Sequence, residues 1–222
     1  MNHTPVYIVC SPRPLVGKTL MSRLLSEFLL LKNGAVNSFD LNLREPSLLD
    51  YLPAITETAD IDNTFGKMQL MDRLIVDDGV AKVIDLGFHA FDEFFKMSEE
   101  IGFLKEAARR RVAPVILFMA DTDRVSARGH EMLRAQIPSA SLVTIDNEHV
   151  VRGELPVAMS QGRMLRIAAL PAFLKTYVDR ISFSFNDYLR NEKDASAELH
   201  QWLRRNYLSF RELELSLILQ KS

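Results

Sequence analysis

The chain has 222 residues, 47% of them hydrophobic and 25% charged, with a formal net charge of -2. That length and apolar content suit one sizeable core and exclude disorder and fibrous repeats. The charge balance makes the molecule as a whole no broad binder of nucleic acid or membrane surface, and a single cysteine, Cys10, excludes an intramolecular disulfide.

Short apolar runs alternate with helix-period stretches through about residue 170. Val6 to Cys10 is the first predicted strand. Leu20, Met21, Leu24, Leu25, Phe28 and Leu29 then recur at helical spacing, with Ser22, Arg23, Ser26 and Glu27 on the other face, the pattern of an amphipathic helix. Gly34 ends it. Ala35 to Asp40 is the second predicted strand, and Thr64 to Val76 a helix. Ala81 to Leu86 is the next strand, followed by one or two helices through Arg111. Pro114 to Ala120 is a continuous apolar run, as a strand buried on both faces requires. Val125 to Gln136 is predicted helix, Ser141 to Asp146 strand, and Met164 to Ala169 the last strand. The pattern is helical from about Pro171, with Leu199, Trp202 and Leu203 in one stripe. The tail Leu213, Leu215, Leu217, Leu219 fits strand or helix equally.

This alternation predicts an α/β fold: a mostly parallel sheet with helices on both faces, one domain over 1–222, and a helical C-terminal extension from about residue 171. In such sheets ligands bind beyond the carboxyl ends of the strands. Chemistry is therefore expected just after Cys10, Asp40, Asp85, Ala120 and Asp146.

The segment after Cys10 reads SPRPLVGKT and leads directly into the amphipathic helix. A helix N-terminus offers free backbone N–H groups and the positive end of the dipole to an anion. Lys18 would reach β- and γ-phosphates, the Thr19 hydroxyl would ligate Mg²⁺, and Gly17 would allow close backbone approach. A Walker A loop is G-x-x-x-x-G-K-[ST]; here the first glycine is Pro12, and Pro14 also removes an N–H. The alternative is an ordinary strand-to-helix turn with Thr19 near an N-cap.

With these residues the chain resembles P-loop ATPases of the ParA/MinD type, whose loop reads approximately K-G-G-x-G-K-T. Arg13 stands at the signature-lysine position, Pro14 and Leu15 replace the two glycines, and Val16, Gly17, Lys18 and Thr19 match. The resemblance extends over roughly residues 5 to 170 in element order. It implies a P-loop NTPase-like fold, ATP and Mg²⁺ as ligands, nucleotide contacts from Arg13, Val16 and Gly17 through Leu20, and catalytic roles for Lys18, Asp40 and Arg13. Arg13 would act across a homodimer; as a solvated arginine it would do nothing.

Asp85 closes the apolar strand Lys82-Val83-Ile84-Asp85, the Walker B arrangement in which a carboxylate holds Mg²⁺; capping of the following helix is the alternative. Asp40 closes the second strand. Relatives carry a further aspartate two residues on, where this chain has Asn42; an amide orients water but is no base. Slow hydrolysis, or binding without hydrolysis, follows. Asn147 sits where relatives contact the purine, or is a plain turn asparagine.

The run Arg109-Arg110-Arg111 reads as a helix-end complement to the dipole, with a small nucleic-acid or acidic-partner patch as the sharper alternative. Asp121-Thr122-Asp123-Arg124 shapes a dimer face or caps a helix. The tail carries Glu212 and Glu214 beside Arg211 and Lys221, which opposes membrane attachment. No apolar run approaches the roughly 20 residues that span a bilayer, and no basic segment precedes the first strand. A cytoplasmic location is expected. The five histidines, His3, His89, His130, His149 and His200, make no metal-ligand spacing.

The resemblance thus implies an ATP-binding protein of the ParA/MinD type, with slow Mg²⁺-dependent ATP hydrolysis or none, whose occupancy controls dimerisation and partner binding. Two other readings stay open. One is an ATP-dependent small-molecule enzyme resembling dethiobiotin-synthetase-like ligases, which a deep second pocket beside the γ-phosphate would favour. The other is a degenerate scaffold without nucleotide.

Overall fold

The computed structural model describes residues 3–42, 47–138, 141–151, 153–181 and 183–219. Among the described residues, seven strands form one sheet: β1 (Thr4–Cys10), β2 (Val36–Asp40), β3 (Thr56–Thr58), β4 (Ala81–Asp85), β5 (Val112–Met119), β6 (Leu142–Asn147) and β7 (Arg163–Ile167). Their order is β3-β2-β4-β1-β5-β6-β7, and each neighbouring pair is parallel. The helices are α1 (Lys18–Asn33), α2 (Leu48–Tyr51), α3 (Thr64–Leu74), α4 (Phe91–Glu100), α5 (Phe103–Arg109), α6 (Arg124–Gln136), α7 (Val157–Ser160), α8 (Ala172–Val178), α9 (Phe185–Asn191) and α10 (Glu198–Leu219). The expected α/β class, with helices on both faces and a helical C-terminus, is the fold observed.

Strand periodicity divides the core in two. Tyr7 and Val9 of β1 face α1, α9 and α10, packing with Leu24, Phe185 and Trp202. Val6, Ile8 and Cys10 face the other layer, packing with Leu70 of α3, Phe94 of α4, Phe103 of α5 and Leu133 of α6. Gly34 ends α1 in the left-handed conformation, its N–H donated to the Leu30 carbonyl.

The predicted helices and strands differ from the observed ones by a residue or two at their ends; the four-residue helices α2 and α7 carry no prediction, and three larger differences stand beside them. Strand β3 carries no apolar pattern: only Thr56 is buried, while Glu57 and Thr58 are exposed at the sheet edge. The leucine-rich tail is the end of α10. Leu213 is buried and Leu217 packs beside it four residues on, while Leu215 points away and is 52% exposed, as helical geometry demands. Lys221 lies outside the described residues.

The third difference concerns α1. Its polar face, Ser22, Arg23, Ser26 and Glu27, is buried rather than solvated. Part of it is covered by Val178, Phe183, Ser184 and Asn186, so the helix is covered on both faces there.

The arginine run is committed within the chain: Arg109 and Arg110 pair with Glu106, and Arg111 with Asp77. Asp123 caps α6, accepting from Ser126 N at 2.7 Å. Among the described residues, no helix is long and apolar enough to cross a membrane.

Candidate functional site

The turn between β1 and α1 opens onto a cleft of about 930 Å³ at the carboxyl edge of the sheet. Gly17 is the N-cap of α1, left-handed at φ 87°. A Cβ there would lie 2.4 Å from Asn147 Nδ2. Glycine is therefore required by both backbone and space. The first backbone bond into α1 runs from Met21 N to Gly17 O at 3.1 Å. Amides ahead of it belong to the helix end that lacks intrahelical partners and carries positive potential.

The loop prolines leave this turn open. Pro12 packs on Gly129 of α6, where a Cβ would come within 2.8 Å of its ring. Leu15, at a motif glycine position, adopts φ 59° and is 94% exposed. A left-handed non-glycine residue costs roughly 1–2 kcal/mol. Lys18 lines the cleft, and its Nζ donates back to the Arg13 carbonyl at 2.7 Å. Burial lowers the Lys18 pKa, and the nearby Asp85 carboxyl opposes that shift.

Thr19 sits at the junction of three elements. Its hydroxyl donates to Asp85 Oδ2 at 2.8 Å and meets Ser47 Oγ at 2.9 Å. Asp85 is buried at the end of β4, and burial pushes its carboxyl up to about 6; the Thr19 hydrogen bond and the Lys18 charge oppose that rise, while Asp40 adds to it. Asp85 Oδ1 is buried without a hydrogen-bond partner. An unpaired buried carboxylate oxygen beside a hydroxyl is a hard-oxygen donor set that fits Mg²⁺, which commonly takes one or two protein ligands plus phosphates and water. No group of three or more His, Cys, Asp or Glu among the described residues forms a separate metal cage.

Asp40 is placed differently from a group facing a reacting phosphate. Its Oδ2 accepts from the amides of Ser47, Leu48 and Leu49 at 2.9–3.2 Å, and its Oδ1 accepts from Asn42 N. It anchors the start of α2 and so sets the position of Ser47. Asn42 lies against Gly87, whose added Cβ would be 3.1 Å from Asn42 Oδ1.

Arg13 forms an ion pair with Asp123 and does not line the cleft of its own chain. Val16 contributes its carbonyl rather than its side chain, which is core; Leu20 lines the cleft. Asn147 is buried, donates from Nδ2 to Val16 O at 3.0 Å, and accepts at Oδ1 from His149 N at 3.2 Å. It buttresses the loop.

Residues from distant parts of the chain complete the walls. Arg23, 1% exposed, donates to the carbonyls of Val178 and Phe183 at 3.0 and 3.1 Å. Its guanidinium lies 3.6 Å from the Tyr51 ring centre, and Tyr51 Oη donates to Asp179 O at 2.9 Å. Glu27 accepts from Ser184 Oγ and Asn186 N, both at 2.8 Å. Sequence reasoning missed this assembly because the segment that Arg23, Tyr51 and Glu27 bind lies more than 100 residues further on; the one available signal was the spacing of two chargeable residues on a helix that opens at the loop.

A second cavity of about 400 Å³ lies on the opposite side, lined by Ile8, Ile116, Phe94 and Phe103. It belongs to the α3–α6 layer and does not share the lining of the first cleft.

Fold and site together define an all-parallel α/β protein whose first strand-to-helix turn carries Gly17-Lys18-Thr19 beside a buried carboxylate. A scan against protein-family models finds no match to the chain, and a search of curated proteins finds none either.

Proposed function

We propose that the chain binds a nucleoside triphosphate, ATP, with Mg²⁺ in the cleft above α1, in the manner of ParA/MinD-type ATPases. The observation that carries this is the Lys18–Thr19–Asp85 arrangement: an ammonium held over an open helix N-terminus, with a hydroxyl bridged to a buried carboxylate at 2.8 Å. The amides around Gly17 and the Lys18 ammonium bind the β- and γ-phosphates. Thr19 and Asp85 hold the metal ion, which neutralises developing charge on the phosphate oxygens. Binding also offsets the burial of Asp85.

Asn42 supplies an amide where a base would favour fast turnover, so hydrolysis is slow. Occupancy is the output: α2, tied to Thr19 through Ser47 and to α1 through Tyr51, reports the filled site to surfaces that govern dimerisation and partner binding. Nothing in the second cavity favours the small-molecule-enzyme reading, since it lies across the sheet from Lys18.

Thermal unfolding with Mg²⁺-ATP tests the proposal. At a ligand concentration about 100 times Kd, binding adds about 2.7 kcal/mol, a rise in Tm of roughly 5–10 °C for a chain this size. Lys18→Ala should abolish the rise while leaving the unliganded Tm near that of the parent. An unchanged rise in the variant rejects the site.

A further inference from the structure

We infer that His149 reads the base, presenting a ring N–H to an acceptor atom of the heterocycle; this rests on the nucleotide reading above. The sequence directs attention to Asn147, but that amide is turned inward, with Nδ2 donated to Val16 O and Oδ1 accepting from His149 N. Asn147 is only 2% exposed. His149, two residues on, is half-buried and lines the same cleft.

The hydrogen bonding of His149 sets its tautomer. Its Nε2 accepts from Leu170 N at 2.7 Å. A neutral ring with an accepting Nε2 carries its proton on Nδ1. Burial first, then the Lys175 charge, holds the ring below its ordinary pKa, against the opposing pull of Asp179 and Glu148. The remaining polar atom is thus a donor that cannot change tautomer without losing Leu170.

The ring is also placed before any ligand arrives. The turn after β6 is stitched to the end of β7 and the residues just beyond it by two more bonds: Glu148 N donates to Ile167 O at 3.0 Å, and Ala169 N to Glu148 Oε2 at 3.2 Å. Strand β6 lies two positions from β1 in the sheet, about 10 Å away at ordinary strand spacing. The cleft that Gly17 and Lys18 line is also lined by His149, so a nucleotide with its phosphates on the β1 turn has room to extend toward that ring. A donor fixed by backbone contacts favours a base with an acceptor at little ordering cost.

Calorimetric titration of the full chain with Mg²⁺-ATP and with Mg²⁺-tripolyphosphate, which has the phosphates and no base, tests this. His149→Gln places an acceptor near the old Nε2 and removes the Nδ1 donor; His149→Asn does the reverse. His149→Gln should weaken ATP about tenfold and leave tripolyphosphate unchanged, while His149→Asn keeps ATP within about threefold. In the parent, ¹⁵N NMR should show the Nδ1-protonated tautomer, with a resonance that moves on adding ATP and not tripolyphosphate. Parental ATP affinity in His149→Gln, or an Nε2-protonated ring, overturns the role of His149. Parental binding of tripolyphosphate as tight as ATP also overturns it while leaving the phosphate site standing. A parent that binds neither ligand rejects the nucleotide reading itself.

Discussion

The two faces of the sheet are built by different physics. The α3–α6 face is closed by apolar shape: Phe91, Phe94 and Phe95 stack edge to face, and Phe103 and Leu133 fill in behind them. The α1 face has an apolar centre too, but its covering segment is held by directional bonds that tie Arg23 to Val178 and Phe183 and Glu27 to Ser184 and Asn186. The cleft lies on the second face. Apolar contact tolerates sliding, whereas hydrogen bonds to carbonyls fix distance and angle. A binding wall made from distant chain segments needs the second kind of attachment.

Substitutions on the two faces should therefore separate stability from binding. Phe94→Ala is expected to give the largest loss of stability, about 3–5 kcal/mol in urea unfolding, with nucleotide affinity of the folded protein unchanged. Altered affinity in that variant would break the division between the faces. Arg23→Leu strands two buried carbonyls and should cost about 2–4 kcal/mol. Unlike Phe94→Ala, it should also weaken nucleotide binding and raise amide exchange across residues 178–181 and 183–186, readable by mass spectrometry. Protection there equal to the parent's would show that apolar contact alone holds the wall.

The smallest effect is on the α3–α6 face. The His130 ring meets Thr144 Oγ1 at 3.1 Å, and burial, then Arg134, lowers its pKa. A depressed folded pKa gives stability that is present above the ordinary histidine value of about 6.5 and lost as pH falls through the folded value. The parent should therefore lose stability relative to His130→Gln as pH is lowered from about 7 to 5. A constant difference between the two across that range would remove His130 from the account.

Apolar periodicity made the central strands and α1 legible, because burial on both faces writes a continuous hydrophobic run and a helix stripe into the chain. Strand β3 left no such mark, since an edge strand of three residues needs none. At the site, Gly17, Lys18 and Thr19 were readable because a helix N-terminus constrains adjacent positions. The hydrogen bonding of Asp40 and Asn147 was not, because the amides of Ser47 to Leu49 and the Val16 carbonyl reach them only in the folded chain. Arg23 and Glu27 misled for the same reason: a charged residue on a helix predicts solvent, and no local pattern announces a cover arriving more than 150 residues later.

Pro12 and Gly129 carry a consequence for how this turn tolerates change. The proline ring fills space that only a residue without a side chain leaves on α6. Restoring glycine at position 12 would vacate that space, and adding even a methyl group at 129 would push the turn outward. The two positions should therefore drift together, so that a departure from the usual loop spelling at one of them is answered on a helix more than 100 residues away.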